Sequence, residues 1–359
     1  RIGDVTPIGF TKAGKTLAKL IAKQGHNVSI DRFRRAGNGD FITATLPVDA
    51  QNYSYHIFDL NLGTDTKISD FYFKTKHTDA LVPTETVQIT ARDGMKLNAL
   101  LLRPKGVDGA APMVLEVHGG PARQVKWEYH HFRQFLVNRG YAVLAVNFRG
   151  SSGLGKIYQA AGYGEYGRKM QDDLVDATLW AIDQGIADPK AIAINGRSYG
   201  GYASAMGLVR DPDLFKAGII EHAMLDVAYQ SQYPPHSWGL YLRQWERYFG
   251  DINSPGDMEK MHQRSPINLV AQMQAAALMV AGKRDPVVGF EQTERFITKA
   301  KDLGKNIDSL IFENEGHGID KWQSKIRHAR RVEDFLAEHL GGRSGNWDWI
   351  EPIAAYLDK

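Results

Sequence analysis

Between residues 191 and 209 the chain passes from an apolar run, through Gly196-Arg197-Ser198-Tyr199-Gly200-Gly201, into a run of small residues. Residues 191–195 suit a strand buried on both faces, and residues 202–209 suit a helix packed closely against it. A serine held in the tight turn between them needs flanking glycines, because side chains there would collide with neighbouring backbone. Strand, turn and helix in that order call for a largely parallel sheet with helices across its faces. The competing reading is a glycine-rich turn of a nucleotide-binding type, with Ser198 merely capping the helix.

From about Leu81 onward the rest of the chain meets that demand. Short apolar runs at 112–117, 141–147, 217–220 and 276–281 alternate with helical spacing at 129–138, 172–184, 291–302 and 322–339. A hairpin-like pair, 86–89 and 95–102 around Arg92-Asp93-Gly94, opens this region with antiparallel strands. Before it, the sequence reads as short strands at 27–30, 41–45 and 53–60, separated by Gly37-Asn38-Gly39-Asp40 and Gly63-Thr64-Asp65. The expected organisation is a strand-rich segment over 1–80, an α/β domain over 81–341 and a tail over 342–359. A length of 359 residues suits one large domain with a smaller companion.

Composition narrows the chemistry. Cysteine is absent, which removes disulfides, thiolate nucleophiles and zinc–cysteine sites together. There is no HExxH motif, and adjacent His130 and His131 place their rings on diverging faces of a helix, so neither a metal nor any other cofactor is expected. A net charge of +3 spread along the chain offers no concentrated basic patch, so nucleic acid and membrane are not expected as partners. No apolar run approaches the roughly 18 residues of a membrane span. No signal peptide is visible in the opening stretch, and the compartment stays open: cytoplasmic, or periplasmic or secreted if a leader has been removed.

A serine hydroxyl needs a base, and a base needs an orienting carboxylate. His317, in Glu315-Gly316-His317-Gly318 after the apolar run 309–312, has the late, loop-borne position that a base requires. Asp285 follows Leu278-Met279-Val280-Ala281-Gly282 and lies between Ser198 and His317 in chain order. Nucleophile, acid and base in that order, on a parallel sheet, define the α/β-hydrolase fold. Glu221 and Asp226, just after the preceding strand, compete for the carboxylate role. Acyl transfer also creates an oxyanion, for which the N–H of Tyr199 and the loop His118-Gly119-Gly120-Pro121 are the candidate donors. The alternative for that loop is a tight turn without a ligand.

A second motif points elsewhere. Gly9-Phe10-Thr11-Lys12-Ala13-Gly14-Lys15-Thr16 matches the phosphate-binding P-loop pattern. It sits in strand-rich sequence rather than between a buried strand and a helix, so Ala13-Gly14-Lys15 reads better as a hairpin turn.

With these residues in hand, the chain resembles the prolyl oligopeptidase family of serine peptidases, in particular its acylaminoacyl- and dipeptidyl-peptidase branches. The resemblance rests on His118-Gly119-Gly120-Pro121, residues 147–155 (Asn-Phe-Arg-Gly-Ser-Ser-Gly-Leu-Gly), the turn around Ser198, residues 282–288 and the segment around His317. It implies a peptidase for short peptides whose hydrolase domain is capped by an N-terminal β-propeller. Residues 1–80 amount to about two blades, with residues 10–17 as a strand–turn–strand, whereas a propeller needs at least four. The chain is therefore expected to be a portion of a longer protein that forms a homo-oligomer or associates with the missing N-terminal portion. Gly289 stands where the family often has proline, and Ala281 where it often has histidine. For the first substrate pocket the resemblance nominates Tyr199, Trp238, Tyr241 and Val288, aromatic positions that core packing would equally explain. A carboxylesterase of the same fold and a non-catalytic binding relative remain the alternatives.

Overall fold

Period-two burial builds the N-terminal sheet, and continuous apolar runs build the larger one that follows. The computed structural model describes residues 10–23, 32–36, 39–47, 53–71, 78–239, 241–345 and 349–357. The first sheet is a four-stranded antiparallel meander of β1 (Arg32–Ala36), β2 (Phe41–Pro47), β3 (Tyr53–Asp59) and β4 (Thr64–Phe71). Ile42, Ala44 and Leu46 on β2 and Phe58 on β3 point to one face. That face is covered by Leu20 and Ile21 of a helix, Lys12–Ala22.

This helix corrects the expected strand–turn–strand at residues 10–17 and the hairpin turn at Ala13-Gly14-Lys15. Thr11 caps it by accepting from the Gly14 N–H at 3.1 Å, and Leu17, Leu20 and Ile21 fall on one side. A helical apolar stripe that finds a sheet to cover outweighs the turn propensity of Gly14. Lys15 and Thr16 lie within the helix, beside an antiparallel sheet rather than a parallel one. One four-stranded sheet stands where about two blades were expected, and the strand expected at 27–30 lies outside the described residues.

The second sheet has eight strands, β5 (Glu85–Thr90), β6 (Lys96–Leu102), β7 (Ala111–Val117), β8 (Ala142–Asn147), β9 (Ala187–Arg197), β10 (Ala217–Glu221), β11 (Ala276–Gly282) and β12 (Ile307–Phe312). Their spatial order is β12-β11-β10-β9-β7-β8-β6-β5. The pairs from β8 through β12 are parallel, while β5 and β6 are antiparallel, as the opening hairpin implied. Every residue of β8, β10 and β11 is buried, which is the physical reason their sequences do not alternate. Helices Lys169–Asp183 and Tyr199–Arg210 help bury one face, and His131–Asn138 and Trp322–Leu340 the other.

Between β10 and β11, the helices Val227–Gln232, Leu242–Phe249 and Pro255–Gln263, and the single turn Pro266–Leu269, had no counterpart in the sequence reading. Their starts were nevertheless marked: Asp226 caps the first, and Ser254 followed by Pro255 caps the third. The tail also folds, as a helix, Ile350–Leu357, that packs on Trp322–Leu340. Among the described residues no helix is long and apolar enough to cross a membrane.

Candidate active site

Parallel pairing brings the carboxyl ends of β7, β9, β10, β11 and β12 side by side, the edge where open α/β sheets place their ligand sites. Each candidate residue follows one of these ends. Ser198 leaves β9 with φ 62° and ψ −119°, a strained backbone for a residue with a side chain. Its N–H donates to the Glu221 carbonyl at 2.9 Å, which ties the turn to β10. The three glycines around it each answer a contact. A Cβ on Gly196 or Gly200 would overlap the Val117 carbonyl, and one on Gly201 would press on the Glu221 carbonyl.

Beyond β12, His317 turns Nδ1 toward Asp285, which follows β11, at 2.8 Å from Oδ2. The other carboxylate oxygen of Asp285 accepts from the N–H groups of Val287 (2.8 Å) and Val288 (2.9 Å). The aspartate side chain is 3% exposed and the histidine side chain 22%, so the carboxylate is enclosed while the ring reaches the surface. Asp285 accepts on both oxygens, which places the imidazole proton on Nδ1 and leaves Nε2 free to receive one. Neither competing carboxylate meets this ring: Glu221 pairs with His328 at 3.2 Å, and Asp226 pairs with Arg295 at 2.9 Å while capping its helix.

The loop after β7 lies against the serine turn. A Cβ on Gly119 would stand 3.0 Å from the Arg197 carbonyl and 3.4 Å from Ser198 Cβ, so glycine permits this approach. The His118 ring holds the loop, with Nδ1 2.8 Å from the Gly119 carbonyl and Nε2 2.8 Å from Ser151 Oγ, and it stacks on Phe148. Burial lowers its pKa to about 4, so the ring is neutral near pH 7. Tyr199, whose backbone N–H begins the helix, packs its ring among Phe148, Tyr166 and Tyr202, and burial pushes its phenol well above the ordinary value.

The nominated pocket residues separate. Trp238 is buried, stacks on Trp245 and donates its indole N–H to the Val287 carbonyl at 3.1 Å. Val288 is buried behind Asp285, whereas Tyr241 is exposed. Trp238, with Ser237 donating to the Pro286 carbonyl at 2.8 Å, therefore clamps the loop that carries Asp285. Among the described residues no group of three or more His, Asp or Glu side chains is placed to hold a metal ion.

Sequence reading passed over His222. It follows β10 with φ 46°, its ring centroid lies 5.9 Å from that of His317, and both its ring nitrogens are buried without a partner. Burial, opposed by Glu221 and Asp285, lowers its pKa to about 4. Its one sequence signal was position, a second polar residue after Glu221 at the end of a buried parallel strand.

The profile of the prolyl oligopeptidase family matches residues 127–343, which include the serine turn, Asp285 and His317. The chain belongs to the prolyl oligopeptidase family. It is 34% identical over 336 residues to dipeptidyl aminopeptidase BIII of Pseudoxanthomonas mexicana, covering 88% of this chain and 48% of that one. It is 32% identical over 233 residues to dipeptidyl peptidase family member 6 of Caenorhabditis elegans, covering 65% of this chain and 32% of that one. A crystal structure of puromycin hydrolase superposes with a TM-score of 0.81 at 22% identity, over 89% of this chain and 49% of that one, a likeness of fold. The chain thus spans about half the length, or less, of the relatives it matches.

Proposed function

We propose that the chain carries the catalytic domain of a serine peptidase that cleaves short peptides through an acyl-enzyme, of the acylaminoacyl-, dipeptidyl- or oligopeptidase type. The observation that carries this reading is the 2.8 Å approach of His317 Nδ1 to the enclosed Asp285 carboxylate, at the same sheet edge as a strained Ser198. Ser198 Oγ attacks the scissile carbonyl as His317 Nε2 takes its proton. The tetrahedral oxyanion faces the N–H of Tyr199 and the loop at Gly119, with a half-buried, neutral His118 keeping that loop in place. His317 then hands the proton to the departing amine, and a water repeats the sequence to free the acyl group. Asp285 keeps the ring in the required tautomer and offsets the charge of the imidazolium. The four-stranded sheet of β1–β4 is read as part of a β-propeller over residues 1–80, beside a hydrolase domain over 81–341.

Labelling with a fluorophosphonate tests the activated serine. Label is expected on Ser198 and is expected to vanish in Ser198→Ala and His317→Ala. A folded protein that takes no label would overturn the reading. Turnover of an aminocoumarin dipeptide amide against a p-nitrophenyl ester then separates a peptidase from a carboxylesterase, which would cleave the ester alone.

A further inference from the structure

Arg197, between Gly196 and Ser198, has no part in the chemistry above, and unlike Arg133, Arg149 and Arg295 it is not engaged by a carboxylate. Arg133 is paired with Glu116 at 2.9 Å, Arg149 with Asp173 at 2.6 Å and Arg295 with Asp226 at 2.9 Å. Arg197 is exposed at the end of β9, and among the described residues its side chain has no hydrogen-bond or ion-pair partner. Glu221, a carboxylate that feels its charge, is buried and already bonded to His328. The direction of the side chain is the telling feature. One guanidinium nitrogen stands 3.2 Å from the point a Cβ on Gly318 would occupy, so the arginine reaches from the serine's own strand to the residue after His317.

We propose that Arg197 binds the terminal carboxylate of the departing part of the substrate, which makes peptides with a free C-terminus one or two residues beyond the scissile bond the preferred class. This rests on the serine-peptidase reading above. With the carbonyl oxygen at Tyr199 N–H and its carbon on Ser198 Oγ, the departing nitrogen must face His317, which protonates it. Whatever that nitrogen carries continues past His317, where Gly318 leaves the guanidinium uncovered. About one or two extended residues, each spanning roughly 3.5 Å, fit between a serine and the head group of its own sequence neighbour. A guanidinium offers a planar fork of donors that matches a carboxylate, and an unpaired one keeps that fork available.

The test compares kcat/KM for three substrates that share one acyl part: a peptide ending in a free acid two residues beyond the scissile bond, the same peptide as its C-terminal amide, and an aminocoumarin amide with no carboxylate. The free acid is expected to be cleaved about tenfold better than its amide, chiefly through KM. That ratio is expected to fall to about one in Arg197→Gln and to be kept in part by Arg197→Lys, whose charge lacks the fork. Equal cleavage of acid and amide, or a preference that survives in Arg197→Gln, would overturn the proposal. Aminocoumarin turnover without any acid–amide difference sinks the role of Arg197 alone. Loss of all three activities together with absence of phosphonate label on Ser198 sinks the peptidase reading with it.

Discussion

Which proton His317 carries on Nδ1 is decided by one neighbour. Asp285 has no hydrogen to give while ionised, so Nδ1 must donate, and the two backbone N–H groups on its other oxygen hold the carboxylate in that pose. Asp285→Asn keeps the shape but presents an amide that can favour the wrong tautomer. Its kcat is expected to fall by about 10⁴ with little change in melting temperature. A fall in both together would mean that the carboxylate serves the fold rather than the chemistry. Gly200 shows how strictly the turn is packed. In Gly200→Ala the added methyl meets the Val117 carbonyl, and a loss of about 3 kcal/mol is expected, read as a lowered urea midpoint.

At the scale of elements, the site depends on how neighbouring segments are tied to the sheet. Glu116 on β7 and Arg133 on helix His131–Asn138 form a buried pair with two hydrogen bonds of 2.9 Å. Burial opposes the charge on Glu116, but Arg133 outweighs it and holds the carboxyl at about 2 rather than 4.5. This contribution to stability is complete above the unfolded value of about 4.5 and is lost as pH falls toward 2. Glu116→Gln leaves Arg133 buried without a counter-charge, and a loss of about 3–5 kcal/mol by chemical denaturation at pH 7 is expected. Element reading from sequence worked where burial on both faces makes a strand continuously apolar, as in β8 and β11, or where one stripe spaces a helix, as in Glu291–Asp302. It missed Val227–Gln232 and Leu242–Phe249, helices of 6 and 8 residues whose one or two turns repeat the helical period too few times to stand out, although Leu242, Trp245, Tyr248 and Phe249 do pack together against the main core. It read Gly14 as a turn because local propensity says nothing about the sheet face waiting at Ile42 and Phe58.

Among the described residues, burial lowers His118, His130 and His222 from 6.5 to about 4, and lowers His131 in the same direction. The unfolded chain binds these protons as pH drops below 6.5, whereas the folded chain does not until about 4. Stability is therefore full above 6.5 and declines through that window, before most carboxylates titrate. The melting temperature is expected to fall steadily from pH 7 to pH 4.5, and His222→Asn is expected to flatten the slope. An unchanged slope in that variant would remove His222 from the account. The surface also bears large apolar side chains, among them Ile157 at 90% exposed, Tyr233, Trp322, Trp349 just before the tail helix and Tyr356 on it. Association that rises with concentration is expected in light scattering, and a monomer at all concentrations would show that these side chains tolerate water.

By itself, the sequence determined the α/β class, the serine turn and the chain order of Ser198, Asp285 and His317, because steric demands on a tight turn and burial on both faces of a sheet leave local marks. Tertiary structure decided what pairing distances decide. Asp285 rather than Glu221 or Asp226 meets His317, Trp238 clamps the loop behind it, residues 12–22 wind into a helix, His222 comes to stand beside His317, and Arg197 reaches toward Gly318. Each of these depends on groups far apart in the chain reaching hydrogen-bonding or packing distance, a condition that no local pattern of residues records.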